Sequence, residues 1–251
     1  MINWREKFIA TGVHFAVTML LAAIAAALIF FVWFPDPFQT IVGGTGLFML
    51  VVGCDLALGP LLSLVIYDSR KSRRELFTDY AVVGAIQIAA LAYGVFVVAG
   101  TRPVYVAFNT DRFEVVTARD IDDAELAAAR DPEFASLPWT GPKVIGISVP
   151  EAERNDALFQ SLRGNEGHQR PKFYVPIESK LDAIRQHAKP LPDLESHKPG
   201  SKAAIEEVTR GLEGSADARA WLPLRYRNVF WTVLVDTNTG RPVGYLPVDP
   251  Y

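Results

Sequence analysis

Residues Val51–Asp68 read VVGCDLALGPLLSLVIYD, an apolar run interrupted near its start by one carboxylate, Asp55. The run belongs to a longer stretch, Ile41–Tyr67, in which 27 residues include no charged side chain except Asp55. A helix of about 20 apolar residues crosses the hydrocarbon of a bilayer, so this stretch qualifies as a membrane span. Two others accompany it: Val13–Phe34 has 22 residues without a charge, and Tyr80–Ala99 has 20. The N-terminal part therefore reads as a three-transmembrane-helix bundle.

The remainder has a different composition. Of the 251 residues half are hydrophobic, yet the first hundred hold only six of the 25 Lys and Arg, six of the 28 Asp and Glu, and three of the 17 prolines. We divide the chain into a membrane domain, residues 1–100, and a soluble domain, residues 101–251. The net charge of −3 lies in the soluble part, which leaves no basic field to hold nucleic acid. The one cysteine, Cys54, lies inside an apolar run and allows neither an intramolecular disulfide nor a CxxC site.

Arg5 and Lys7 precede the first span as they would a signal peptide, but the apolar run continues through IFFVWF, as in an uncleaved anchor. The loop after the second span, DSRKSRRELFTD, carries Arg70, Lys71, Arg73 and Arg74, whereas the loop after the first, PDPFQT, has no basic residue. By the positive-inside rule the N-terminus and the second loop are cytoplasmic, and three crossings put the C-terminal domain in the periplasm of a bacterium.

From Arg102 onward apolar and polar residues alternate between prolines and glycines, as expected of an α+β domain with antiparallel strands. VYVAF and RFEVVTA read as strands joined by the turn NTD, and KVIGISV as a third. DDAELAAAR, EAERNDALFQSL after Pro150, IESKLDAIRQHA and SKAAIEEVTRGLEG read as helices, the last opened by Ser201 and closed by glycine. KPLPDLESHKPG reads as a proline-rich surface loop. NVFWTVLVDTNTGRPVGYLPVD is the clearest hairpin, with Gly240 placed for a left-handed turn position.

Chemistry-bearing motifs are few. His14, His168, His187 and His197 have no metal-ligand spacing, no serine is framed as a nucleophile elbow, and GGTG at Gly43–Gly46 lacks the Lys-Ser/Thr of a phosphate loop. GGTG reads as a place of close helix approach. No enzyme, metal or cofactor is expected. Asp55 differs, because a carboxylate at mid-span costs roughly 2.5–3.5 kcal/mol and persists only with a partner or a role. Asp55 and Tyr93 lie at nearly equal depth on neighbouring spans, which predicts a hydrogen bond between them. Asp55, Gly59 and Ser63 recur every four residues, a small and polar stripe suited to another transmembrane helix or to the bundle's own packing. Pro60 beside it removes a helical N–H and frees a carbonyl. Arg102 at the membrane edge and Asp111-Arg112 in a turn are candidates for contact with lipid head groups or a partner.

The stretches GCDLALGPLLSLVIYD, IQIAALAYGVFVVAGTRPVYVAFNTDRFEVVTARDI and LVDTNTGRPVGYLPVDP together resemble the type IV pilin accessory proteins of the TfpX/TfpZ type. The resemblance runs from the N-terminus to about Ile121 and resumes near Trp221. It implies a bacterial inner-membrane protein that helps a particular major pilin to assemble or to remain stable beforehand, with no catalysis. It makes the pilin's transmembrane helix and head, together with the lipid bilayer, the expected partners. A three-span sensor or transport subunit with a ligand-binding outer domain is the alternative, although a short N-terminus and a loop of a dozen residues leave little room for cytoplasmic output.

Overall fold

The structure, a computed structural model, describes residues 4–68, 70–210, 212 and 218–251; the side chains of Thr45, Leu47 and Val51 lie outside the description. The chain forms two compact units, Met1–Arg102 and Pro103–Tyr251.

In the first unit α1 (Trp4–Ala27) continues into a wider π-helical turn, Leu28–Trp33. A short α2 (Phe38–Val42) ends at Gly43, whose φ of +78° is the left-handed cap that glycine adopts without penalty. Then α3 (Gly44–Ile66) runs back, and α4 (Arg73–Thr101) returns. Three helices, Trp4–Trp33, Phe48–Ile66 and Arg73–Thr101, are long and apolar enough to cross a membrane. Phe31, Leu61, Val65, Phe77 and Phe96 stand exposed on them, apolar surface of the kind that lipid rather than water covers.

The helices differ from the apolar runs at three places. The first helix begins at Trp4, well before Val13, and the third at Arg73, because Ser72 and Glu75 form a capping box that satisfies the first amides. The second run is not one helix from Ile41; Gly43 breaks it. The glycines do permit close approach, since a Cβ on Gly44 would lie 2.8 Å from the Phe34 ring. At this end Ala25, Ile29, Trp33, Phe34, Phe48 and Val98 pack as one core. At the other end Lys7 Nζ donates to the Leu64 carbonyl at 3.1 Å and Tyr67 Oη to Glu6 Oε2 at 3.2 Å.

The second unit is built on β1 (Pro103–Asn109), β2 (Arg112–Thr117), β3 (Lys143–Ile147), β4 (Tyr174–Pro176), β5 (Lys189–Pro190), β6 (Arg219–Tyr226), β7 (Val229–Asp236) and β8 (Pro242–Leu246). Its helices are α5 (Asp123–Ala127), α6 (Arg154–Leu162), α7 (Leu181–His187), α8 (Leu191–His197) and α9 (Lys202–Arg210). The strand order is β4-β3-β1-β2-β6-β7-β8, with β5 pairing β6.

The antiparallel strands expected are present in five pairings, and the sheet is mixed because two further pairings are parallel. Tight turns make β1–β2, β6–β7 and β7–β8 antiparallel, whereas long excursions bring β3 beside β1 and β6 beside β2 in parallel. The hairpin around Asp236–Gly240 is present, with Gly240 at φ +74°. The proline-rich segment is not a loop: Lys189–Pro190 pairs with β6, and α8 follows with Pro192 in its first turn and Leu191 and Leu194 buried. The glycines expected to close α9, Gly211 and Gly214, lie outside the described residues.

A core of Tyr105, Phe134, Phe173 and Tyr174 fills one region, with Tyr105 and Tyr174 rings edge to face at 5.1 Å. A second gathers Leu191, Leu194, Ile205, Trp221, Leu234 and Leu246 under α8 and α9.

Candidate partner-binding cleft among the apolar helices

In the first unit α3 packs between α1 and α4. Its stripe faces inward: Ser63 is fully buried, Gly59 is buried and Asp55 is 7 % exposed. Ser63 and Tyr80 share a 2.7 Å hydrogen bond. A Cβ on Gly59 would meet Gln87 Nε2 at 2.9 Å, Thr18 Oγ1 at 3.4 Å and His14 Nε2 at 3.7 Å, so the glycine lets three helices touch there. Pro60 lies inside α3, which continues past it to Ile66. Gly59 and Ser63 are thus occupied within the bundle.

Asp55 is placed differently. It borders a cleft of about 470 Å³ whose walls are α1, through residues such as His14, Val17 and Thr18, and α4, through residues such as Gln87 and Ile88. No hydrogen bond or ion pair joins the Asp55 side chain to any described residue. His14 Nε2 donates to Gln87 Oε1 at 2.7 Å, the carbonyl oxygen fixing the tautomer, and Thr18 Oγ1 donates to the His14 carbonyl at 3.1 Å. His14 Nδ1 and Gln87 Nε2 are buried without a partner among the described residues. An otherwise apolar cleft therefore carries a carboxyl group, an unused acceptor and an unused donor.

The predicted Asp55–Tyr93 hydrogen bond is absent, and Tyr93 is 70 % exposed on the outer surface. The expectation rested on counting residues along each span, and a position along a helix does not fix the direction of its side chain. Tyr80, Gly84, Gln87, Ile88 and Leu91 form the inward stripe of α4 at three- and four-residue spacing. Tyr93, two residues beyond Leu91, turns to the opposite side. Sequence reasoning missed His14, Thr18 and Gln87, although His14 and Gln87 are polar residues inside apolar runs, the same signal that marked Asp55.

The other expected contacts are local. Arg102 donates to the Ala99 carbonyl at 2.8 Å and lies over the Trp33 ring at 5.9 Å. Asp111 and Arg112 pair with each other at 2.8 Å in the β1–β2 turn, where Thr110 has φ +61°.

A polar cluster in the second unit was not expected. Glu114 on β2 is 4 % exposed, with His168 Nδ1 at 2.8 Å and Arg225 of β6 at 2.9 Å; the same guanidinium reaches Glu166 at 2.5 Å. Burial alone would raise the Glu114 pKa, but His168 and then Arg225 override it and hold the carboxyl to about 2. Glu114, Glu166 and His168 have their ligand atoms within 4.8 Å of one another, a grouping that suits a metal ion. Arg225 already bridges the two carboxylates, so the group reads as an ion-pair network that ties β2 to β6.

Three helices long and apolar enough to cross a membrane, bordering a cleft with polar groups and joined in one chain to a mixed-sheet domain, define the class as a membrane protein. The comparisons narrow this. The family described as Fimbrial assembly protein FimB matches residues 2–43. The chain is 33 % identical over 236 residues to the serogroup I fimbrial assembly protein of Dichelobacter nodosus, covering 91 % of this chain and 90 % of the relative. It is 32 % identical, with the same coverage, to the serogroup E1 protein of that organism. A third relative, from serogroups C1 and C2, is 38 % identical over 119 residues, 47 % of this chain and 91 % of its own length. No solved structure matches the chain significantly. The chain belongs to the fimbrial assembly protein family, as its resemblance to the pilin accessory proteins implied.

Proposed function

We propose that this protein is an inner-membrane pilus-assembly factor that holds the transmembrane helix of a type IV major pilin in the cleft between α1 and α4. The observation that carries the reading is Asp55, a buried carboxyl group without a protein partner, bordering a cleft otherwise lined mostly by apolar side chains. An isolated polar group in lipid is expensive, so it is retained where it meets a second polar group for part of the working cycle. A single apolar transmembrane helix has the chemistry to fill this cleft, and a bitopic pilin supplies an apolar helix. The orientation with the N-terminus in the cytoplasm rests on Arg70, Lys71, Arg73 and Arg74, and it puts the mixed-sheet domain on the periplasmic side, where the pilin head emerges.

Deleting the gene while measuring pilin level and surface pili separately tests the role. The expected result is a loss of surface pili of about tenfold or more. A fall in total pilin as well would mean that the protein protects the subunit before assembly, and unchanged pilin would mean that it acts in assembly alone. Normal values for both quantities would reject the proposal.

A further inference from the structure

Strands β1 and β3 lie side by side and run in the same direction. The chain leaves β1 toward β2 on one side and leaves β3 toward β4 on the other. The two connections part, and a crevice of about 550 Å³ remains beyond the carboxyl ends of the strands. This is the position at which open sheets with parallel strands bind ligands, and the volume falls within the roughly 300–1,000 Å³ of small-molecule sites.

Three basic side chains, Arg154, Lys180 and His187, line the crevice, and no acidic residue does. Neighbouring cations of the unit are paired: Arg112 with Asp111, Lys172 with Glu153, Arg241 with Glu178. Arg154 and Lys180 have no carboxylate partner among the described residues. Two of the three are also positioned. The Lys180 stem lies across Gly146 of β3, where a Cβ would collide with Lys180 Cγ, so only glycine there leaves the chain its place. His187 Nδ1 donates to the Ala183 carbonyl at 2.8 Å and the ring stands edge-on to Phe108, which fixes the ring at the crevice wall. Ser148 and Asn109, at the strand ends, add neutral hydrogen-bonding groups.

We infer that this crevice binds an anion carrying two or more carboxylate or phosphoryl groups, the chemistry that two convergent cations, Arg154 and Lys180, with neutral hydrogen-bonding groups beside them recognise. The inference stands apart from the membrane cleft. Such an anion could be a free small molecule or the acidic side chains of a partner protein, and the probes separate the two. The full-length protein in detergent micelles would be titrated by calorimetry with citrate, with pyrophosphate and with a blocked tetraglutamate peptide.

Saturable binding of at least one probe, weakened by added NaCl, is expected. Binding of citrate or pyrophosphate supports a free anion, and binding of the peptide alone supports an acidic segment of a partner. Lys180→Met and Arg154→Gln should each weaken binding roughly tenfold. Gly146→Ala should weaken it as well, by displacing the Lys180 stem while keeping every charge. Arg119→Gln, outside the crevice, should leave it unchanged. Arg154 is exposed, so its variant remains readable if a change at Lys180 or Gly146 disturbs folding. Failure of all three probes to bind, or binding indifferent to Arg154→Gln and Lys180→Met, would overturn the inference.

Discussion

Replacing Asp55 with leucine should leave the protein in the membrane at its normal level and reduce surface pili about tenfold or more. Removing a carboxyl group from mid-span relieves an insertion cost of roughly 2.5–3.5 kcal/mol, so a purely structural reading predicts equal or greater stability and unchanged function. The binding reading predicts the same stability with function lost, because Asp55 has no partner among the described residues that its removal would leave unpaired. Ser63→Ala supplies the contrast. It leaves the Tyr80 hydroxyl without its 2.7 Å partner and should cost about 1 kcal/mol of stability, with piliation falling only as far as protein level falls. Immunoblots of membranes beside counts of surface pili check both variants. Normal piliation in Asp55→Leu would remove Asp55 from the mechanism.

Glu114→Gln should destabilise the second unit by about 3 kcal/mol, near the lower end of what breaking a buried ion pair costs, since Arg225 keeps Glu166. The effect carries a pH signature. A carboxylate held to about 2 in the folded chain, against 4.5 ordinarily, contributes its full stabilisation above pH 4.5 and loses it as pH falls from there toward 2. Urea unfolding of the full-length protein in detergent, followed by tryptophan fluorescence, should show this acid limb in the natural protein and a flatter one in Glu114→Gln. An acid limb of the same size in both would show that Glu114 is not the group responsible.

What the sequence disclosed depended on whether the signal was local. Twenty apolar residues in a row need no tertiary information, so the three spans were visible, and the NTG turn between alternating strands marked the last hairpin. Asp55 stood out for the same reason, and so should His14, Gln87 and the lone acid in RFEVVT, Glu114, each a polar residue in an apolar run. Their partners were not visible. The hydrogen bond from His14 to Gln87 spans 73 positions and that from Arg225 to Glu114 spans 111, distances that only the fold closes.

Directions were harder to read than positions. Tyr93 stands on the outer side of α4, which a count of residues along the helix does not reveal. Strands buried on both faces, such as β1 and β6, lose the alternation that marks a strand, and nothing in a strand's composition records whether its neighbour runs parallel. The prolines in KPLPDLESHKPG read as loop residues, yet a helix's first turn tolerates proline because its amides have no helical acceptor, and α8 carries Pro192 there.

Site-specific photocrosslinking in living cells tests most directly whether the cleft receives a pilin helix. Probes at Val17 on the α1 wall and Ile88 on the α4 wall face the cleft, whereas one at Tyr93 stands on the outer side of α4. Pilin captured from positions 17 and 88 and not from 93 is the predicted result. Capture from 93 at the same yield, or from none of the three while the variants still support piliation, would contradict it.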